Sequence, residues 1–251
     1  MNKIKLFCIP YAGGSAVTYS RWKNKLNRSI ELQPVELSGR GSRLGQVLHH
    51  SMSSMVDDVY DVIKDRLNAQ PYALFGYSMG SWIAFELAKK LEQHKHQKPV
   101  HIFFSAMEAP HIIKKDGLTI HELPDVQFKS EIAKLGGTSR QILENEELFN
   151  LFLPILRADY SVFETYKFIE GNNMLGCDIS VLYGKHDTIP LQDIFEWKMY
   201  SNGKCKLYEF DNGHFFINDE SEKIIDIVNS TLAHTSHLDF LGGMTEWKIS
   251  Y

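Results

Sequence analysis

No stretch of this chain approaches the roughly 18 consecutive apolar residues that a membrane-spanning helix needs. The longest early run, Ile4 to Ile9, follows Lys3 and is too short for a signal peptide; Pro10, Gly13 and Gly14 end it without a small-residue cleavage site. A cytoplasmic location is expected. Cysteine is scarce: Cys8, Cys177 and Cys205 are odd in number and scattered in or beside apolar runs, which excludes a disulfide framework and predicts buried free thiols in a reducing compartment. No dense Lys/Arg cluster occurs and the formal net charge is −4, so nucleic-acid binding is not expected, and without a spanning segment neither is a membrane partner. His94, His96 and His101 lie close together, but no cysteine or carboxylate pattern completes a metal site. Neither a metal nor a cofactor is expected. No Pro/Gly/Ser-rich or charged linker divides the 251 residues, so residues 1–251 read as a single domain, expected to be monomeric. At 43% hydrophobic and 23% charged residues, it can bury a sizeable core.

What is present centres on Tyr72 to Leu87. Tyr72-Ala73-Leu74-Phe75 is short, apolar and aromatic-rich, as a buried strand should be, while Ile83, Leu87 and Leu91 recur at helical spacing. Between them stands the G-x-S-x-G pentapeptide Gly76-Tyr77-Ser78-Met79-Gly80. Composition alone would produce such a pentapeptide in about one chain in ten of this length, so the flanks carry the argument. A strand turning sharply into a helix through two glycines presents Ser78 as a nucleophile and aims the Met79 N–H at any oxyanion formed on an attacked carbonyl. The alternative is an ordinary turn serine.

The rest of the chain alternates strands with helices. Ile4 to Ile9 is a first strand, ended by Pro10-Tyr11-Ala12-Gly13-Gly14, where the Ala12 N–H is the candidate second oxyanion donor. A short helix is expected over Arg21 to Leu26 and a strand over Glu31 to Leu37, with Pro34 favouring an edge or bulge. The turn Ser38 to Arg43 is expected to be a solvated loop, with contact between its arginines and an anionic substrate group as the alternative. Met55, Val56, Val59, Ile63 and Leu67 mark a helix, and Val100 to Ser105 a strand. This rhythm predicts an α/β fold with a mostly parallel, doubly wound sheet.

Between about His111 and Tyr166 the rhythm breaks. Phe128, Ile132 and Leu135 suggest a helix ending at Gly136-Gly137; Leu148, Leu151, Phe152, Ile155 and Leu156 suggest another, bent at Pro154. With no strand between them, residues 111–166 read as a helical lid insertion over the catalytic face, bundle packing being the alternative. Strands return at Ile179 to Tyr183 and Lys204 to Phe210, and Ile224 to Leu232 makes a closing helix.

Asp187 and His214 each follow one of these late strands, so Ser78, Asp187 and His214 stand in the chain order nucleophile, acid, base, each beyond the end of a parallel strand. His214 would take the Ser78 proton, and Asp187 would orient the imidazole. Asp193 and Asp211 compete for the acid's place, but Asp193 is expected to open a helix and Asp211 is only three residues from His214.

Several co-linear segments then carry a specific resemblance: Phe7 to Gly14, Leu37 to Gly41, Phe75 to Gly80, Ala109 to His111, Leu135 to Gly137, Leu156 to Tyr160 and Gly213 to Phe216. Through these, up to about Leu232, the chain resembles the type II (external, editing) thioesterases of nonribosomal peptide and polyketide synthetase systems. The resemblance implies an α/β-hydrolase fold, a Ser78, Asp187 and His214 triad, and Ala12 and Met79 as oxyanion donors. It also implies hydrolysis of acyl or aminoacyl thioesters from the phosphopantetheine arms of acyl or peptidyl carrier proteins, with no cofactor because the substrate brings the arm. Lys114 and Lys115, near the start of the insertion, could meet an acidic carrier. Two departures stand out: the family usually has His where this chain has Tyr77, and the tail 234–251, with Leu238, Phe240, Leu241 and Trp247, has no family counterpart. A general carboxylesterase of the same fold and a non-catalytic carrier-protein adaptor are the competing readings; an intact triad counts against the adaptor.

Overall fold

The computed structural model describes residues 3–67, 70–112, 119–171 and 173–242. In chain order these form β1 (Ile4–Ile9), a 3-10 helix (Ala16–Trp22), β2 (Ile30–Pro34), α1 (Met52–Ile63), β3 (Tyr72–Tyr77), α2 (Met79–Gln93) and β4 (His101–Ser105). Then come α3 (Asp125–Leu135), α4 (Arg140–Glu144), α5 (Glu146–Glu164), β5 (Asp178–Gly184), α6 (Leu191–Phe195), β6 (Cys205–Phe210), α7 (Phe216–Asp219) and α8 (Ser221–Gly242).

The six strands form one all-parallel sheet in the order β2-β1-β3-β4-β5-β6. Successive side chains of a strand leave opposite faces, so Phe7 and Ile9 join one core while Leu6 and Cys8 join another. The first core takes Val59 and Ile63 of α1, Ile83 and Leu87 of α2, and Trp197, whose indole stacks on Phe104 at 3.8 Å between ring centroids. The second takes Tyr19 and Trp22 from the early 3-10 helix and Ile224, Val228 and Leu232 of α8. Both faces are therefore covered, as a doubly wound parallel sheet requires.

Between β4 and β5 no strand intervenes among the described residues; α3, α4 and α5 fill the gap around a small core of Phe128, Ile132, Phe149 and Leu156. Gly136 caps α3 in the left-handed conformation, φ 76°. The short α4, capped by Ser139, is not foreshadowed by the apolar pattern. Helix α5 runs on through Pro154, which faces solvent, where water can bond the carbonyl left without its N–H partner.

Other expectations need correcting. The early helix spans Ala16–Trp22 and is 3-10, meeting the expected Arg21 to Leu26 only at Arg21 and Trp22. Strand β2 is indeed at the sheet's edge but stops at Pro34, because its partner β1 ends at Ile9 and Pro10 has no N–H to offer. Cys8 and Cys177 are buried free thiols, whereas Cys205 is only half-buried. The closing helix continues to Gly242, into the segment read as a tail from His234, while 243–251, with Trp247, and Lys114 and Lys115 lie outside the described residues. Among the described residues no helix is long and apolar enough to cross a membrane.

Candidate active site

The turn from β3 into α2 is made at Ser78, whose φ of 51° and ψ of −123° form a strained backbone for a residue with a Cβ. Close approach forces glycine on both sides. A Cβ on Gly76 would lie 2.2 Å from the Gly80 carbonyl oxygen, and one on Gly80 would lie 2.3 Å from that of Ile9. Long-range bonds pin the strain: the Ser78 N–H donates to the Ser105 carbonyl at 2.7 Å, and Ser81 Oγ accepts from the Ser105 N–H at 2.9 Å.

Two loops at the same end of the sheet deliver the partners. Gly184, ending β5, could not carry a Cβ without coming 2.4 Å from the Gly213 carbonyl oxygen, so the post-β5 and post-β6 loops touch. From them Asp187 and His214 converge on Ser78: His214 Nε2 is 2.9 Å from Ser78 Oγ, and His214 Nδ1 is 2.8 Å from Asp187 Oδ2. The carboxylate can only accept, so Nδ1 carries the imidazole hydrogen and Nε2 is left to receive the serine proton. Burial of Asp187 opposes ionisation, but the hydrogen bond and charge of His214 and the N–H groups of Ile189 and Thr188 outweigh it, holding the carboxyl below its ordinary range. The competing acids lie elsewhere: Asp211 is on the surface beside Lys185 and His186, and the Asp193 carbonyl accepts from the Ala109 N–H as α6 begins.

Ser78, Asp187 and His214 face a cavity of about 380 Å³, whose wall also contains Ala12 and Met79. Met107, Ile132, Leu135, Phe163 and Ile189 make it largely apolar, and three of these come from α3 and α5, so the helical insertion supplies part of the wall. A second hollow of about 590 Å³ shares Tyr11, Gly137 and Thr138 with the first, but is bordered by Ser15, Thr18, Ser20 and Arg21.

Residues 4–232 match the family model described as the thioesterase domain. The chain belongs to the thioesterase family. It is 35% identical over 234 residues to a protein named linear gramicidin dehydrogenase LgrE of Brevibacillus parabrevis, covering 92% of this chain and 88% of that one. Thioesterase PikA5 of Streptomyces venezuelae is 33% identical over 235 residues, covering 93% and 83%. Among solved structures, ClbQ from the colibactin NRPS/PKS pathway superposes with a TM-score of 0.90 at 34% identity, covering 94% of this chain and 99% of that one. The word dehydrogenase in the first name belongs to that protein; family and fold here are those of a hydrolase that cleaves thioesters.

In this thioesterase two side chains take roles that the sequence pattern did not assign. Arg40, expected in a solvated loop, is buried and forms a two-pronged ion pair with Asp159 of α5, while Arg43 pairs in the same way with Asp58. The clue was a carboxylate on an apolar face: Asp159 falls at helical spacing with Ile155, Leu156 and Val162, all buried, and a charge in that stripe implies a buried partner. The second is Tyr77, whose ring is buried beneath His214 and whose hydroxyl bonds to the histidine loop. His101 and His96 of the histidine group bond to Ser180 and Tyr60 respectively.

Proposed function

We propose that this thioesterase is a type II editing enzyme that removes acyl or aminoacyl groups from the phosphopantetheine arms of carrier proteins in nonribosomal peptide or polyketide synthesis, acting in the cytoplasm. The observation that carries the reading is the unbroken chain Ser78 Oγ, His214 Nε2, His214 Nδ1 and Asp187 Oδ2 on the wall of an apolar cavity large enough for a short acyl group. The kinship with PikA5 and with ClbQ of an NRPS/PKS pathway supports the choice of substrate.

In this mechanism Ser78 Oγ attacks the thioester carbonyl carbon while its proton passes to His214 Nε2. The resulting oxyanion is held by the backbone N–H groups of Ala12 and Met79, and Asp187 stabilises the imidazolium. Collapse breaks the C–S bond, and the His214 proton leaves with the sulfur as the free arm thiol. Water then gives a proton to His214 as it attacks the acyl-Ser78 ester, and a second collapse returns that proton to Ser78 Oγ and frees the acid. The acyl group occupies the apolar cavity, the arm runs along the adjoining hollow beside Arg21, and the insertion acts as a lid over both. Helices α3 and α5 would have to part for a loaded carrier to present its arm.

Intact-protein mass spectrometry of a carrier loaded with different acyl groups, before and after addition of the enzyme, tests the reading. Loss of the acyl mass with retention of the arm is expected, and none with Ser78→Ala. Hydrolysis of simple p-nitrophenyl esters alone, with acyl-carrier untouched, would make the protein a general carboxylesterase.

A further inference from the structure

Two segments that mark the family resemblance, Leu37 to Gly41 and Leu156 to Tyr160, supply none of the groups assigned to chemistry. In the folded chain they meet. Arg40 Nη1 and Nη2 lie 2.5 and 2.6 Å from the two carboxylate oxygens of Asp159, and the side chains are 4% and 0% exposed. Stability alone does not explain such a pair, since the cost of desolvating both charges offsets their attraction and apolar residues of the same volume often serve as well. What else the pair touches does.

The Gly13 N–H donates to Asp159 Oδ2 at 2.7 Å, and Arg40 Nη1 donates to the Gly14 carbonyl at 3.1 Å. Both partners thus hold the two residues after Ala12. Before Ala12, the chain is held by packing: a Cβ on Gly80 would come 2.3 Å from the Ile9 carbonyl oxygen and 2.7 Å from that of Pro10, so the start of α2 seats directly on the end of β1. Ala12 lies between these two anchors, in a turn closed by the Gly14 N–H donating to the Tyr11 carbonyl at 2.8 Å. Only the Arg40–Asp159 anchor can loosen without disturbing the turn that carries Ser78.

We propose that Arg40 and Asp159 are positioning residues that aim the Ala12 N–H at the oxyanion formed when Ser78 attacks the thioester. The proposal rests on the reading of Ser78 and Ala12 given above. Neither side chain touches substrate. The oxyanion exists only in the transition state and its neighbouring intermediates, so a loosened loop lowers kcat and leaves KM alone. Because Asp159 belongs to α5, the same contact also ties the insertion to the loop.

The test compares the unaltered 251-residue chain with Asp159→Asn, which keeps an oxygen for the Gly13 N–H but gives up the charge, and with the double variant Arg40→Met/Asp159→Leu. The double variant buries no lone charge, so it is the one expected to fold. It should lose about 10- to 100-fold in kcat, less than the roughly 10²–10³ of deleting an oxyanion donor outright, with KM changed by less than about twofold. Affinity for an alkyl trifluoromethyl ketone, which forms a tetrahedral adduct on the serine, should fall in proportion; Asp159→Asn should show a smaller loss of the same kind. A folded double variant with unchanged kcat and unchanged ketone affinity overturns the proposal, as does a kcat loss without a loss of ketone affinity. Should the double variant not fold, the same two readouts on Arg40→Lys, which keeps a charge opposite Asp159 but gives up the two-pronged grip, decide. A fluorophosphonate probe separates this proposal from the one beneath it: failure of the wild type to label at Ser78 removes the site reading and the clamp with it. Equal labelling rates in wild type and variants remove the clamp alone.

Discussion

The Tyr77 hydroxyl donates to the backbone carbonyl of His214 at 2.6 Å and accepts from the Ile217 N–H at 3.2 Å. The residue beside the nucleophile thus fastens the loop that carries the base. Burial pushes the phenol's pKa well up, so it stays a neutral donor at every working pH. Tyr77→Phe keeps the ring but leaves the His214 carbonyl and the buried Ile217 N–H without this partner. It should cost about 1–3 kcal/mol of stability and about tenfold in kcat through a looser His214. Thermal melting and steady-state kinetics check both; a variant unchanged in each would make the hydroxyl a bystander.

Ser78→Ala should abolish turnover, because the residues of such a chain act as a unit. Asp187→Asn should fold normally and lose about 10⁴ in rate, since an amide at that position favours the wrong imidazole tautomer. Near-normal activity in either variant removes the assignment.

Two buried groups should make stability pH-dependent in different windows. Burial lowers the pKa of His101 from 6.5 to about 4. Above 6.5 the ring is neutral folded or unfolded; as pH falls from there to about 4 the unfolded chain takes up a proton that the folded one refuses, costing on the order of 3 kcal/mol in all. Asp187 is held below its ordinary value of 3.8, so its contribution is intact above that value and is lost as pH falls through the folded one. Urea melts from pH 7 to 3 should show both, and His101→Gln, which can still bond to Ser180, should flatten only the upper window. An unchanged slope between pH 6.5 and 5 would mean that His101 charges in place.

If the arm lies in the hollow beside Arg21, its phosphate should feel that side chain. Arg21→Glu should raise KM for acyl-carrier and acyl-CoA substrates about tenfold and leave a p-nitrophenyl ester unaffected. A uniform effect on all three, or none, would place the arm elsewhere.

Hydrogen exchange should find α3 to α5 less protected than the sheet, with a protection that changes when a carrier protein is bound. Protection equal to the sheet's, insensitive to the carrier, would make the insertion fixed scaffold.

The Ser78 turn was legible in the sequence because its causes are local. An apolar strand, glycines at points of backbone contact and a helix of 3.6-residue period all fall within Tyr72 to Leu91, and Asp187 and His214 were found as residues just past strand ends. Which acid meets His214 was decided by tertiary structure: Asp187 and Asp211 both follow strands, and the close approach of Gly184 to Gly213, with the Lys185 and His186 N–H groups donating to the Phe210 and Asn212 carbonyls, sets the first beside the imidazole and leaves the second in solvent. The same holds for Arg40 with Asp159 and Tyr77 with His214, partners 119 and 137 positions apart. Periodicity reports which face of an element is buried; it carries no term for which element will cover that face. A buried charge or hydroxyl takes its role from that neighbour, which only the packed chain supplies.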